Sequence, residues 1–277
     1  MSLKNSALLV CFNASQWTAR KLDRQITTEV NTSHSASEDA GRYNKLLFAK
    51  DKTEAISKVI NAARTYHYEA TLPWGDNGER LLPTAQYLNY VSKMGQFKNE
   101  FSQNIQYFFA NYESFMIQER VRLNGMFKES DYPSKGDIQC KFDFRTSFMP
   151  VPDSDIRVGL DAEDISSLKE QIEGEINTRL NDAVANIWQR IKTQLSAMRD
   201  KLSDEKSIFR DSLFENLKDL IALLPNLNVT GDVNIARMCN ELIHLVADPA
   251  AIRSNPALRA SKAEEVEQVM NKFKGFF

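Results

Sequence analysis

The chain has 277 residues, about twice the size of a usual domain, so it can hold one large domain or two modest ones. It is 42% hydrophobic and 26% charged, which excludes a disordered chain, a collagen and a disulfide scaffold. Lys and Arg number 35 against 37 Asp and Glu, a net charge of -2, so attachment to nucleic acid through a general excess of cations is excluded as well.

The three cysteines, Cys11, Cys140 and Cys239, lie far apart and never form C-x-x-C, as expected of free thiols in a reducing compartment. The early apolar run Ala7–Phe12 is shorter than a signal-peptide centre or a membrane span of roughly 20 residues. The expectation is a soluble cytoplasmic protein with no membrane partner.

In chain order, Ala7–Phe12 reads as a buried strand. A helix capped by Ser15 follows, with Trp17, Leu22, Ile26 and Val30 on its inner face. Thr32–Ser37 is polar and loop-like, and a second helical pattern runs from Tyr43 through Leu46 and Ile56 to Ala63. From Arg64 to Pro83 the residues Pro73, Gly75, Asp76, Asn77 and Gly78 indicate an ordered loop. Tyr87, Tyr90, Met94, Phe97, Phe101, Ile105, Phe108, Tyr112 and Phe115 then recur every three or four residues, predicting one continuous helix over Thr84–Phe127. Tyr107, Phe109 and Met116 fall outside this stripe and widen the apolar face, so further helices or a second subunit are expected to cover it.

Phe142, Phe144 and Phe148 alternate with Lys141, Asp143 and Arg145, which marks a half-buried strand; Ile156–Leu160 is its expected hairpin partner. A long helix is predicted over Ala162–Ser203, followed by helices from Ile208 to Leu224, stopped by Pro225, from Val233 to Val246 and from Pro256 to Lys274. Asp232 and Asn255 stand at cap positions. The resulting fold class is mainly α (α+β): long antiparallel helices, a small β-hairpin or sheet, and a helical C-terminal bundle. The domain reading is 1–83, with strand, helices and aromatic loop; 84–203, a helical hairpin with the β-hairpin 138–160 inserted; and 204–277, a helical region. Residues 1–150 carry 19 basic and 16 acidic side chains and residues 151–277 carry 16 and 21, a split of +3 and -5.

Catalytic patterns are sparse. The glycines form neither G-x-G-x-x-G nor G-x-x-x-x-G-K, there is no G-x-S-x-G, and the histidines are His34, His67 and His244. Neither Cys nor His clusters at zinc-ligand spacing, so no metal and no cofactor is expected. Asp153, Asp155, Asp161, Glu163 and Asp164 could gather Mg²⁺ for a nuclease, but they surround a turn and a helix start, where acids serve as caps.

The segment Arg64–Arg80 concentrates Tyr66, His67, Tyr68 and Trp74 between two arginines. Rings beside guanidinium groups suit base stacking and phosphate contact on single-stranded DNA, and Lys141 and Arg145 could extend the face. The alternative is that the rings plug the seam between a loop and the helices. Candidate nucleic-acid or partner residues are therefore Arg64, Tyr66, Tyr68, Trp74, Arg80, Lys141 and Arg145. The closing Met270–Phe277 has some likeness to a sliding-clamp tail but lacks its Gln, which favours local packing.

Gln16-Trp-Thr-Ala-Arg-Lys-Leu-Asp23, Ala63-Arg-Thr-Tyr-His-Tyr68, Leu72-Pro-Trp74, Arg80-Leu-Leu-Pro83, Phe142-Asp-Phe-Arg145 with Pro150-Val-Pro152, and Phe209-Arg-Asp-Ser212 together resemble a family of tailed-phage and prophage proteins. The likeness covers nearly the whole chain. It implies a virus-encoded protein acting in the bacterial host cytoplasm, with a phage AAA+ ATPase of the chelatase type as a candidate partner. That family carries no assigned activity, so no site residue transfers. The leading expectation is a non-enzymatic helical interaction protein that binds itself or another phage or host protein, coiled-coil fashion. The second is a single-stranded DNA-binding or annealing accessory of phage replication or recombination.

Overall fold

A computed structural model describes residues 3–152, 161–204 and 206–277. Helix α1 (Leu3–Ser6) leads into strand β1 (Ala7–Ser15), followed by β2 (Arg20–Leu22), α2 (Arg24–Ser33), β3 (Asn44–Leu46) and α3 (Asp51–Ala70). Strands β4 (Leu72–Pro73) and β5 (Arg80–Pro83) precede α4 (Tyr87–Ala110), α5 (Tyr112–Leu123), α6 (Lys135–Gln139) and β6 (Asp143–Pro150). The C-terminal half is α7 (Ala162–Ser203), α8 (Ser212–Leu227), α9 (Val233–Leu245), α10 (Pro249–Ser254) and α11 (Pro256–Lys272). The fold is mainly α with a small antiparallel sheet, as the sequence indicates. The sheet order is β4-β5-β1-β6, and β2 and β3 form a separate pair. Strand β1 pairs with β5 from Ala7 opposite Pro83 to Val10 opposite Arg80, and β2 pairs with β3 from Arg20 opposite Leu46 to Leu22 opposite Asn44.

The chain divides into two compact units, each assembled from separated segments: 1–11, 67–90 and 147–277 in one, 12–66 and 91–146 in the other. It passes from one unit to the other four times, inside β1, α3, α4 and β6.

In the first unit, α7 is the central element. Asp161 accepts the Asp164 N–H and caps its start. Ala183, Ile187, Ile191, Leu195, Met198 and Leu202, three or four residues apart, line its buried face against Phe214 and Leu217 of α8 and Val266 of α11. Asp232 caps α9, and Asn255, followed by Pro256, caps α11. Pro225 does not end α8, which continues to Leu227. A proline lacks the N–H that would bond the carbonyl four residues back. That carbonyl, of Ile221, instead accepts the Cys239 thiol at 3.7 Å, which relieves the loss. The tail beyond α11 packs locally: Trp188 stacks on Phe276 at 4.7 Å and lies 6.0 Å from Phe273.

In the second unit the core is aromatic. Phe48 stands 5.8 Å from Trp17, 5.5 Å from Phe108, 5.2 Å from Tyr112 and 5.3 Å from Tyr132. Beside it, the buried Lys45 ammonium meets Asp131 at 2.6 Å, Asp23 at 3.0 Å and the Met126 carbonyl at 2.8 Å. Burial alone would lower the Lys45 pKa, but the hydrogen bonds to Asp131 and Asp23 hold it above the usual lysine value. Glu119, also buried, accepts the Ala49 N–H at 2.9 Å and pairs with Arg122.

Several sequence expectations give way here. Ser15, the expected cap, is instead the last residue of β1; β2 follows, and the helix starts at Arg24 under an Asp23 cap. Tyr43–Leu46 falls around β3, because Lys45 turns inward to its carboxylates and leaves an alternating pattern, not a helical one. Helix α3 continues through Tyr66, His67 and Tyr68 to Ala70, so the first third of the expected loop is helical. The long helix over Thr84–Phe127 is divided at Asn111, whose side-chain amide donates to the Tyr107 carbonyl at 2.8 Å in competition with the backbone. Strand β6 is placed next to β1 in the sheet; the hairpin partner Ile156–Leu160, like Asp153 and Asp155, lies outside the described residues.

Candidate functional site

The C-terminal end of α3 exposes carbonyls with no partner inside the helix. Two arginines supply the donors. Arg190 on α7 donates to the carbonyls of Glu69 at 2.8 Å, Tyr68 at 2.8 Å and Thr71 at 2.6 Å, with its Nε on the Asn186 side chain at 2.9 Å. Arg80, at the start of β5, donates to the Thr71 hydroxyl at 2.6 Å and the Thr71 carbonyl at 3.1 Å. Its guanidinium also lies 4.7 Å from the centre of the Tyr68 ring. Burial and the neighbouring Arg190 charge lower the Arg80 pKa to about 10.

His67 is buried beneath them, its Nδ1 2.8 Å from the Tyr90 hydroxyl. Burial, helped by the Arg80 charge, lowers its imidazole to about 4, so it is neutral near pH 7. Beside Arg190, a cavity of about 400 Å³ contains Glu69 and Asp219 over Leu220 and Leu223. The Glu69 carboxyl is raised by burial and by the Asp219 charge.

Of the sequence-derived candidates, Tyr68 and Arg80 are brought together here. Trp74 belongs to the same unit but is buried in its core, with the Arg179 guanidinium 5.9 Å from its ring centre. Its indole N–H has no hydrogen-bond partner among the described residues. Arg64 and Tyr66 fall in the other unit, where Arg64 is exposed and Tyr66 packs 6.2 Å from Phe97. Lys141 and Arg145 also lie there and are exposed; Arg145 is 3.8 Å from Asp143. Asp161, Glu163 and Asp164 are the cap and first turn of α7.

A different surface stands out in the second unit, on α4 and α5. Tyr107, Ile117 and Val121 are 63%, 66% and 81% exposed, and Ala110 and Ser114 between them are also exposed. The backbone bonds Asn111 N–H to Tyr107 O and Phe115 N–H to Asn111 O carry the helical repeat across the junction. Residues 107, 110, 114, 117 and 121 therefore form one outward ridge spaced three and four apart, opposite the buried Phe108, Tyr112 and Phe115. Sequence reading identified the broad apolar face. Its two sides differ in that Phe109 and Met116 are half-buried while Tyr107 and Ile117 face out. Among the described residues no helix is long and apolar enough to cross a membrane, and no three His, Cys, Asp or Glu side chains are grouped to hold a metal. Comparison with protein-family models, with curated proteins and with solved structures finds no match.

Proposed function

We propose that this protein is a non-catalytic helical interaction protein, and that the ridge Tyr107–Ala110–Ser114–Ile117–Val121 is the surface through which it binds a second copy of itself. The observation that carries this reading is the exposure of the large side chains Tyr107, Ile117 and Val121 on one ridge of three- and four-residue steps, the spacing by which one helix seats on another. Two identical ridges are self-complementary in a two-fold pairing. Of the rings and arginines that suggested single-stranded DNA, by contrast, Trp74 and His67 are buried and Arg80 is committed to Thr71, while the exposed Arg64, Lys141 and Arg145 belong to a different unit from Tyr68 and Arg80. This favours protein over nucleic acid as the partner. A phage origin and an ATPase partner rest on the residue resemblance alone.

Light scattering coupled to size-exclusion chromatography, run from low to high micromolar concentration, tests the reading. A dimer that dissociates on dilution, and that Ile117→Glu with Val121→Glu abolishes while the circular dichroism stays unchanged, is the expected result. A monomer at every concentration overturns it.

A further inference from the structure

Helix α2 and the segment that returns along it form a second feature of the same unit, independent of the ridge. Residues 34–43 are folded back onto the helix by specific bonds. The buried Asn31 side chain donates to the carbonyls of Glu38 at 3.1 Å and Gly41 at 3.4 Å, and the Asn31 carbonyl accepts the Ala36 N–H at 2.8 Å. The Tyr43 N–H bonds the Thr27 hydroxyl at 3.0 Å, and the Tyr43 carbonyl accepts the Asp23 N–H at 3.0 Å. A side chain at position 41 would come within 3.3 Å of the Asn31 amide oxygen, so glycine suits this close return.

The return and the helix flank an open cavity of about 510 Å³, whose lining includes Arg24, Arg42, Glu38, Thr28, Thr32 and the apolar Leu22. That volume lies in the range of small-molecule pockets, roughly 300–1,000 Å³. Arg24, Arg42 and Glu38, all exposed, line this cavity and enter no ion pair or side-chain hydrogen bond among the described residues. Two guanidiniums are the donors that match a phosphate dianion in planar, paired hydrogen bonds. A carboxylate in the same cavity would repel a bare phosphate but accepts bonds from hydroxyl groups. The Thr28 hydroxyl donates to the Arg24 carbonyl at 3.0 Å, which leaves its oxygen as an acceptor.

We propose that this cavity binds a phosphate monoester of a small polyhydroxylated molecule, a sugar phosphate, with Arg24 and Arg42 holding the phosphate and Glu38 and Thr28 receiving the sugar hydroxyls. Leu22 and the cavity volume, larger than phosphate alone requires, accommodate the carbon skeleton.

Isothermal titration calorimetry of the full chain in a phosphate-free, low-salt buffer decides the matter, with ribose 5-phosphate, glucose 6-phosphate, inorganic phosphate and ribose as titrants. Saturable binding of at least one sugar phosphate is expected, with inorganic phosphate weaker by at least about tenfold and ribose silent. Arg24→Gln with Arg42→Gln should weaken sugar-phosphate binding at least about tenfold without changing the melting temperature, since neither side chain has a partner to lose. Amide chemical-shift changes in the unaltered protein, confined to residues 22–43, locate the site without relying on any variant. The proposal is overturned by absence of saturation at millimolar sugar phosphate, by inorganic phosphate binding as tightly as the esters, or by shift changes centred elsewhere.

Discussion

His67 is a buried base held neutral, and that makes it a pH-dependent weak point. Its folded value of about 4 lies below the roughly 6.5 of an unfolded histidine, so between these values the unfolded chain binds the extra proton. Stability should therefore fall as pH drops from about 6.5 to 4, by at most ~1.4 kcal/mol per pH unit, and urea midpoints across that range should show it. His67→Gln should flatten the slope. Asp23 and Asp131 act in another window. Asp23 is held below the usual carboxylate range chiefly by its Lys45 hydrogen bond; burial opposes the same shift at Asp131, but bonds to Lys45 and Lys21 prevail. Their contribution is complete above the ordinary carboxylate pKa and is lost only as pH falls below roughly 4. Removing the cation is more severe: Lys45→Met leaves two carboxylates without their shared partner and should cost about 3–5 kcal/mol in urea unfolding at pH 7. No sequence pattern marks Lys45 for this role, because its partners lie 22 positions before and 86 positions after it, at Asp23 and Asp131.

At the scale of elements, Pro225 and Asn111 show how one side chain modifies a helix. The thiol of Cys239 answers the carbonyl that Pro225 leaves without its usual donor, so Cys239→Val should destabilise by about 1 kcal/mol more than its change in packing explains. The matching control is Cys239→Val combined with Pro225→Ala, in which the excess should vanish in a double-mutant cycle. Asn111→Ala removes the side chain that competes for the Tyr107 carbonyl and should join α4 to α5, adding roughly 0.5 kcal/mol of stability and a small gain in helical circular dichroism. The helices of the C-terminal half were legible because Ile187, Ile191 and Leu195 repeat with the helix and because Asp232 and Asn255 mark its starts. Strands β2 and β3 were not, since three-residue strands lack the length in which an alternating pattern can be seen. The true end of α3 was missed for a different reason: Ala63, His67 and Ala70 continue its buried face, but the polar His67 concealed the repeat. The candidate site was legible only in part. Tyr68 and Arg80 meet through the short β4–β5 turn, whereas Arg190, which completes their surroundings, lies more than a hundred positions away.

For the whole molecule, the ridge on α4 and α5 is the feature whose loss should alter behaviour in solution without altering the fold. The Ile117→Glu and Val121→Glu pair replaces exposed side chains, so thermal stability at low concentration should stay within about 0.5 kcal/mol while the dimerisation constant weakens by at least about 30-fold. The pairing of distant segments was the least visible property in the sequence, because periodicity reports which face of an element is buried and not which other element covers it. Its consequence concerns biogenesis. The unit built from residues 12–66 and 91–146 has all its parts once Thr146 has left the ribosome, while the other still waits for residues 147–277 to complete its core. At the usual pace of synthesis that wait lasts roughly seven to twenty-six seconds, during which Ala7, Leu9, Leu72 and Leu81 have no α7 to shelter them. Nascent chains should therefore depend on chaperones most heavily between those two points of elongation.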